Sequence, residues 1–233
     1  MEAQKMNLRR YTLIAGIAVC VSLAGCPQNN TPKVDPHIRA ATDFRKNELL
    51  KEIDKKWENP TAHYELGQLY HASGDYAKAE YYYNIALGFN PAYREVQASM
   101  VKLQIDKGDK ARGDWIANNY ITQVSSSPEQ ILSLGMAFEK QGMDEYALRC
   151  YQEGLKIAPD SYKISRQLGY YYLARNQKGL ARDMFIRSFQ LNSNQPDVAL
   201  ELGKLGVSVK IPEPQPTPSD NLNQTVKPAT QPK

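Results

Sequence analysis

The stretch ELGQLYHASGDYAKAEYYYNIALGFNP, Glu65–Pro91, decides how the chain folds. Its Leu-Gly pair returns at Leu134-Gly135, Leu168-Gly169 and Leu202-Gly203, so successive glycines lie 68, 34 and 34 residues apart. The copy due at residue 101 reads Met100-Val101. A period of 34 is the mark of a stacked array in which each unit buries its apolar face only against its neighbours. Repeats then run 60–93, 94–127, 128–161 and 162–195, with a further helix opening at Pro196.

Within each repeat the residue types recur at fixed places. Counting from its first residue, the first repeat has Gly67 at position eight, Tyr70 at eleven and Ala79 at twenty, then Tyr83 at twenty-four, Ala86 at twenty-seven and Pro91 at thirty-two. The third gives Gly135, Phe138, Ala147, Tyr151, Gly154 and Pro159. The fourth gives Gly169, Tyr172, Ala181, Phe185 and Ser188, with Ser193 in place of the proline. Gly74, Gly108, Gly142 and Asn176 fall at position fifteen, where a first helix must stop in a left-handed residue.

Residues 60 to about 206 thereby resemble the tetratricopeptide repeat (TPR) family. The resemblance implies an all-α fold, a right-handed α-solenoid of antiparallel helix pairs. Small residues at eight and twenty let the two helices of a pair approach, and aromatics fill the wedge to the next pair. The second repeat departs from this pattern, with Val101 for glycine, Gly113 for alanine, Ala117 for the aromatic and Tyr120 for a small residue. Two helices are still expected there, at an altered packing angle.

Terminal repeats need covers, because a stack otherwise leaves an apolar face in water. Ile38, Ala41, Phe44, Leu49, Leu50, Ile53 and Trp57 recur at roughly helical spacing and predict a covering helix over 38–57. The segment 196–207 covers the other end, so the repeat domain spans 38–207. The tail 208–233 carries Pro212, Pro214, Pro216, Pro218, Pro228 and Pro232 and predicts a disordered or polyproline-like segment.

The runs of three tyrosines follow from the same count. Tyr172 at position eleven faces the core, and Tyr170, about 200° away around the helix, faces the groove. Tyr171 lies against the neighbouring repeat.

The amino terminus carries Lys5, Arg9 and Arg10, then an apolar run from Leu13 to Leu23 that is too short to span a bilayer comfortably. It ends in Leu23-Ala24-Gly25-Cys26, which closely resembles a bacterial lipoprotein signal; an uncleaved anchor or an ordinary secretory signal are the other readings of the segment. The resemblance implies a signal peptide over 1–25, diacylglycerol and an N-acyl chain on Cys26, and a flexible tether over 26–37. No other cofactor is expected. Two or more acyl chains hold a protein stably on a membrane. Pro27 follows the cysteine, where an Asp would mark inner-membrane retention, so a two-membrane source implies the periplasmic side of the outer membrane.

The charge balance of 29 basic against 25 acidic residues, with no basic stripe, excludes a polycationic nucleic-acid binder. His37, His63 and His71 lack the spacing and companions of a metal site. Cys150 reads as a small core residue, and no nucleophile arrangement or phosphate loop is present. A non-enzymatic reading follows. An envelope enzyme with an unrecognised site is the alternative from another class.

In TPR proteins positions two, five, nine and twelve of the first helices line a concave groove. The resemblance places Tyr64, Gln68 and His71 there, then Lys102, Met136, Lys163, Arg166 and Tyr170, with Tyr64, Arg166 and Tyr170 as leading anchors because aromatics and Arg dominate interface energetics. The Lys and Asn clamp of chaperone-binding relatives is absent: Tyr64, Gln68, Ser99, Glu129 and Ser133 stand in its place. The groove is therefore expected to take a protein or peptide, with no nucleic acid and no small-molecule substrate. The chain is similar to the pilotin lipoproteins of type IV and tight-adherence pili, and also to TPR lipoproteins that recruit peptidoglycan hydrolases.

Overall fold

The computed structural model describes residues 36–211. The signal-like segment 1–25, Cys26, most of the tether and most of the proline-bearing tail lie outside the described residues. Residues 36–41, all helical, belong to an amino-terminal unit, and the described residues from Thr42 onward form a second.

Ten helices and no strands make up the described residues. In chain order they are α1 (Pro36–Lys55), α2 (Pro60–Ala72), α3 (Tyr76–Phe89), α4 (Arg94–Asp106), α5 (Lys110–Val124), α6 (Pro128–Lys140), α7 (Asp144–Ile157), α8 (Tyr162–Ala174), α9 (Lys178–Leu191) and α10 (Pro196–Lys204). None is long and apolar enough to cross a membrane.

Local chemistry sets the helix ends. Asn59, Asp75, Asp109, Ser127 and Ser161 each accept a hydrogen bond from a backbone N–H of the first turn that follows, supplying a partner to an otherwise orphaned donor. Pro60, Pro128 and Pro196 occupy first-turn positions, where a missing N–H costs nothing. Between the two helices of each pair the chain turns through a left-handed residue: Gly74, Gly108, Gly142 and Asn176 have φ of 77°, 88°, 70° and 57°.

The helices pack as four consecutive pairs, α2 with α3, α4 with α5, α6 with α7 and α8 with α9. Each pair then meets the first helix of the next. The fold is an all-α solenoid of TPR type, and its core is correspondingly segmented into clusters along the stack. Leu49 and Ile53 of α1 join Ala62 and Leu66 of α2 in one; Phe185 of α9 joins Val198 and Leu202 of α10 in another. The covering helix at the amino-terminal end uses fewer residues than its periodicity suggests. Phe44 and Trp57 are 68% and 50% exposed, and Leu49 and Ile53 do the covering.

Glycine at position eight is a matter of space. A Cβ on Gly67 would stand 2.6 Å from the Tyr83 ring, on Gly135 2.6 Å from Tyr151 and on Gly169 2.5 Å from Phe185. Two helices carrying these rings can close only where the facing residue has no side chain. In the second pair Val101 faces Ala117 and both are fully buried, so bulk has moved from one helix to the other and the pair still closes.

Tyr120 has a different effect. Its position holds Ala86, Gly154 or Ser188 in the other pairs, and a Cβ on Gly154 would meet Ile164 of the next first helix at 2.9 Å. Tyr120 puts a half-buried phenol ring at that place, packed against the central cluster. The seam between α5 and α6 is the thinnest of those between pairs, and α4 packs directly on α6 instead.

Candidate functional site

The first helices α2, α4, α6, α8 and α10 are joined side by side through their side chains. From α2 to α4, the Tyr64 hydroxyl lies 3.3 Å from Ser99 Oγ while accepting from Gln68 Nε2 at 2.8 Å. His71 Nε2 lies 3.0 Å from Asp106 Oδ2, and Lys102 also binds Asp106. From α4 to α6, Gln141 donates to Ser99 Oγ at 2.9 Å and Arg94 to Gln130 at 3.0 Å.

The next rung holds the most charge. Glu139 of α6 accepts from Tyr151 at 2.6 Å and from Gln167 of α8 at 3.1 Å. Arg175, just past α8, lies 3.5 Å from Glu139, binds both carboxylate oxygens of Asp144, and sits 3.6 Å over the centroid of the Tyr171 ring. That arrangement uses the fork and the flat face of a guanidinium together. From α8 to α10, Tyr170 donates to Asp197 at 2.9 Å and Arg166 lies 3.8 Å from the same carboxylate.

These contacts sort the expected groove residues. Tyr64 is a correction: it is buried, 7% exposed, because the rings of Tyr93 and Tyr83 close over it at 5.2 and 5.9 Å and its hydroxyl is already bonded. It ties α2 to α4 and is not open to a partner. His71 is also largely covered, with its side chain 14% exposed, and burial lowers its pKa against the opposing pull of Asp106. Lys102 is neutralised on Asp106.

Toward the carboxyl-terminal half the face is open. Met136 is 47% exposed, Lys163 is exposed and Arg166 is partly so; at the other end, on α2, Gln68 is exposed too. Tyr170 is half-buried, its ring edge-on to Phe185 at 4.9 Å, and burial followed by Asp197 pushes its hydroxyl up to about 12. Counting on through the fifth first helix would have found Asp197 and Leu200, the latter 61% exposed, since they fall at positions two and five from Pro196.

Tyr171 lies buried against Tyr151, its hydroxyl donating to the Asp144 carbonyl. Cys150 is fully buried, and desolvation pushes its thiol up to about 12, far from the range of a reactive thiolate. His63 is buried with Nε2 on the Trp57 carbonyl at 2.9 Å. Among the described residues no cluster of His, Cys, Asp and Glu is placed to hold a metal ion.

The first pair decides the comparison with known proteins. Residues 60–93 match the tetratricopeptide repeat. The three following TPR-like pairs keep its period with the changes described above.

Among curated proteins the chain is similar to the Homo sapiens protein O-mannosyl-transferase TMTC1, 22% identical over 142 residues, 59% of this chain. It spans only 16% of that relative's length. Among solved structures, MamA is 16% identical with a TM-score of 0.38, covering 63% of this chain and 80% of the other. Pseudomonas aeruginosa pilF is 21% identical with a TM-score of 0.36, covering 71% and 69%. YrrB, described as a TPR protein with an unusual peptide-binding site, is 13% identical with a TM-score of 0.35, covering 67% and 81%.

Proposed function

We propose that the chain is an adaptor that docks an extended segment of a partner protein on the row of first helices, and performs no chemistry of its own. One observation carries this reading. The polar rungs hold the first helices in register while leaving Met136, Lys163 and Arg166 turned outward. A face that offers an unbranched apolar side chain, the exposed cation Lys163, and an Arg166 shared with Asp197 suits a peptide that brings an apolar residue and a carboxylate. Catalysis has no comparable support, since most titratable groups of this face, His71, Lys102, Asp106, Glu139, Arg166 and Asp197 among them, are held in ion pairs or hydrogen bonds with one another or with tyrosine hydroxyls.

We further propose that acyl chains on Cys26 hold this adaptor on a membrane of the cell envelope, facing the periplasm, and that its partner belongs to envelope assembly. In this reading its role resembles that of a pilotin. The Leu-Ala-Gly-Cys motif supports the anchor, and the repeat face supports the docking.

Affinity purification from detergent-solubilised membranes tests the two parts together. Recovery of secretin subunits, lost on Met136→Ala/Arg166→Glu, is the expected result. Murein hydrolases in their place would redirect the role to hydrolase recruitment, and recovery that ignores the double substitution would sink the docking face. Palmitate labelling unchanged by Cys26→Ser would remove the anchor.

A further inference from the structure

A second cleft lies between α3 and α5, the second helices of the first two pairs, with Met100 of α4 beneath it. It is open to solvent and offers about 270 Å3 of space. Its base is apolar, formed by the buried Met100 with the half-buried Ile116 and Tyr120. Three amides line it, Asn84, Asn119 and Gln123, and at its mouth stand Glu80, Arg112 and Trp115. Trp115 is 66% exposed.

Three features mark this cleft as more than a gap between helices. First, the side-chain amides of Asn84, Asn119 and Gln123 make no hydrogen bond among the described residues, although Asn119 is half-buried. Secondly, fixed charge stands at the mouth: Glu80 binds Lys107 at 2.9 Å and lies 3.8 Å from Arg112, which keeps most of its side chain in solvent. Thirdly, Gln123 stands where the other pairs carry Phe89, Ile157 and Leu191, so an amide replaces an apolar residue in this pair alone.

We infer that this cleft binds an N-acetylated hexosamine oligosaccharide, with one sugar ring laid against Trp115. The polarised C–H groups on one face of a pyranose match the negative face of an indole ring. Side-chain amides both donate and accept, as hydroxyl pairs and the acetamido group require, and the apolar base takes the acetamido methyl. A proline-rich peptide fits less well, because it offers few N–H groups to the amide oxygens. The inference concerns a different face from the docking row, so its outcome leaves that reading untouched.

The chain holds two tryptophans, Trp57 and Trp115. In the full chain carrying Trp57→Phe, titration with the β-1,4-linked tetramer of N-acetylglucosamine, chitotetraose, should give a saturable blue shift and rise of the remaining emission. Calorimetry on the unsubstituted protein should show the same saturation. Trp115→Ala should abolish it with the circular dichroism unchanged. Asn119→Ala and Gln123→Ala should each weaken binding about tenfold, the scale of one lost hydrogen bond. Absence of saturation at millimolar sugar, or binding undiminished in Trp115→Ala, would overturn the inference. Equal binding of cellotetraose would overturn the acetamido assignment. Saturation by a peptide of sequence PEPQPTP, residues 212–218, with none by chitotetraose, would replace the saccharide with a proline-rich ligand.

Discussion

Val101 and Ala117, both without exposed surface, exchange the roles that a glycine and an aromatic ring hold in the other three helix pairs. The shared requirement is the sum of two volumes across the helix contact. Either helix can carry the bulk, provided the other gives way.

Gly135→Ala therefore places a methyl group 2.6 Å from the Tyr151 ring, which is itself fully buried. Urea unfolding should show a loss of about 1–3 kcal/mol. In Gly135→Val/Tyr151→Ala, which copies the Val101 and Ala117 arrangement, the double substitution should cost less than the sum of its parts. Strict additivity would show that the two positions do not share one volume.

Arg175 binds Asp144 and Glu139 and covers the Tyr171 ring. Arg175→Ala should lower stability by about 2 kcal/mol, through lost ring packing as well as lost charge.

The Arg175 hydrogen bonds hold the Asp144 carboxyl below its ordinary value. A carboxylate whose folded pKa is depressed stabilises above its unfolded pKa, about 3.9, and loses that contribution as pH falls through the folded value. Urea midpoints of the wild type and Asp144→Asn should differ at pH 7 and converge at the acid end. A constant gap would contradict the assignment.

His71 is lowered mainly by burial. The unfolded chain then takes up the proton first, so the neutral ring stabilises above about pH 6.5 and the contribution falls away as pH drops below that value. The ring resonances of His71 should titrate below the midpoint of an unstructured histidine, and His71→Gln should flatten the stability profile between pH 7 and 5. A midpoint above 6.5 would mean that Asp106 outweighs burial.

Cys150 should resist alkylation in the folded protein and react on denaturation. Peptide mapping after iodoacetamide treatment reads this directly, and modification under native conditions would show that α7 opens far more readily than its packing implies.

The period of 34 made the helix pairs legible, because Leu-Gly, the turn glycines and the ring at position twenty-four each answer a spacing requirement local to one repeat. Depth was harder to read. Tyr64 stands at a groove position by count, yet it is buried, since burial there depends on how closely α4 approaches and on the Tyr93 ring beside it. Phe44 and Trp57 looked like covering residues for a similar reason: helical spacing names a set of faces, and only contact with the next helix selects Leu49 and Ile53 among them. Asp197, which Tyr170 and Arg166 share, was missed because the count of groove positions stopped one helix short of it. The Trp115 cleft carried no periodic signal, because it arises from side chains that differ between one pair and the next.

The separate clusters at the two ends of the core mean that injury to an end of this molecule stays where it falls. Loss of Leu49 and Ile53 would fray the amino-terminal end while the pairs beyond continued to shelter one another, as a row of bricks survives a chipped end. Partial melting of one end is thus open to this chain in a way that a protein with a single central interior does not share.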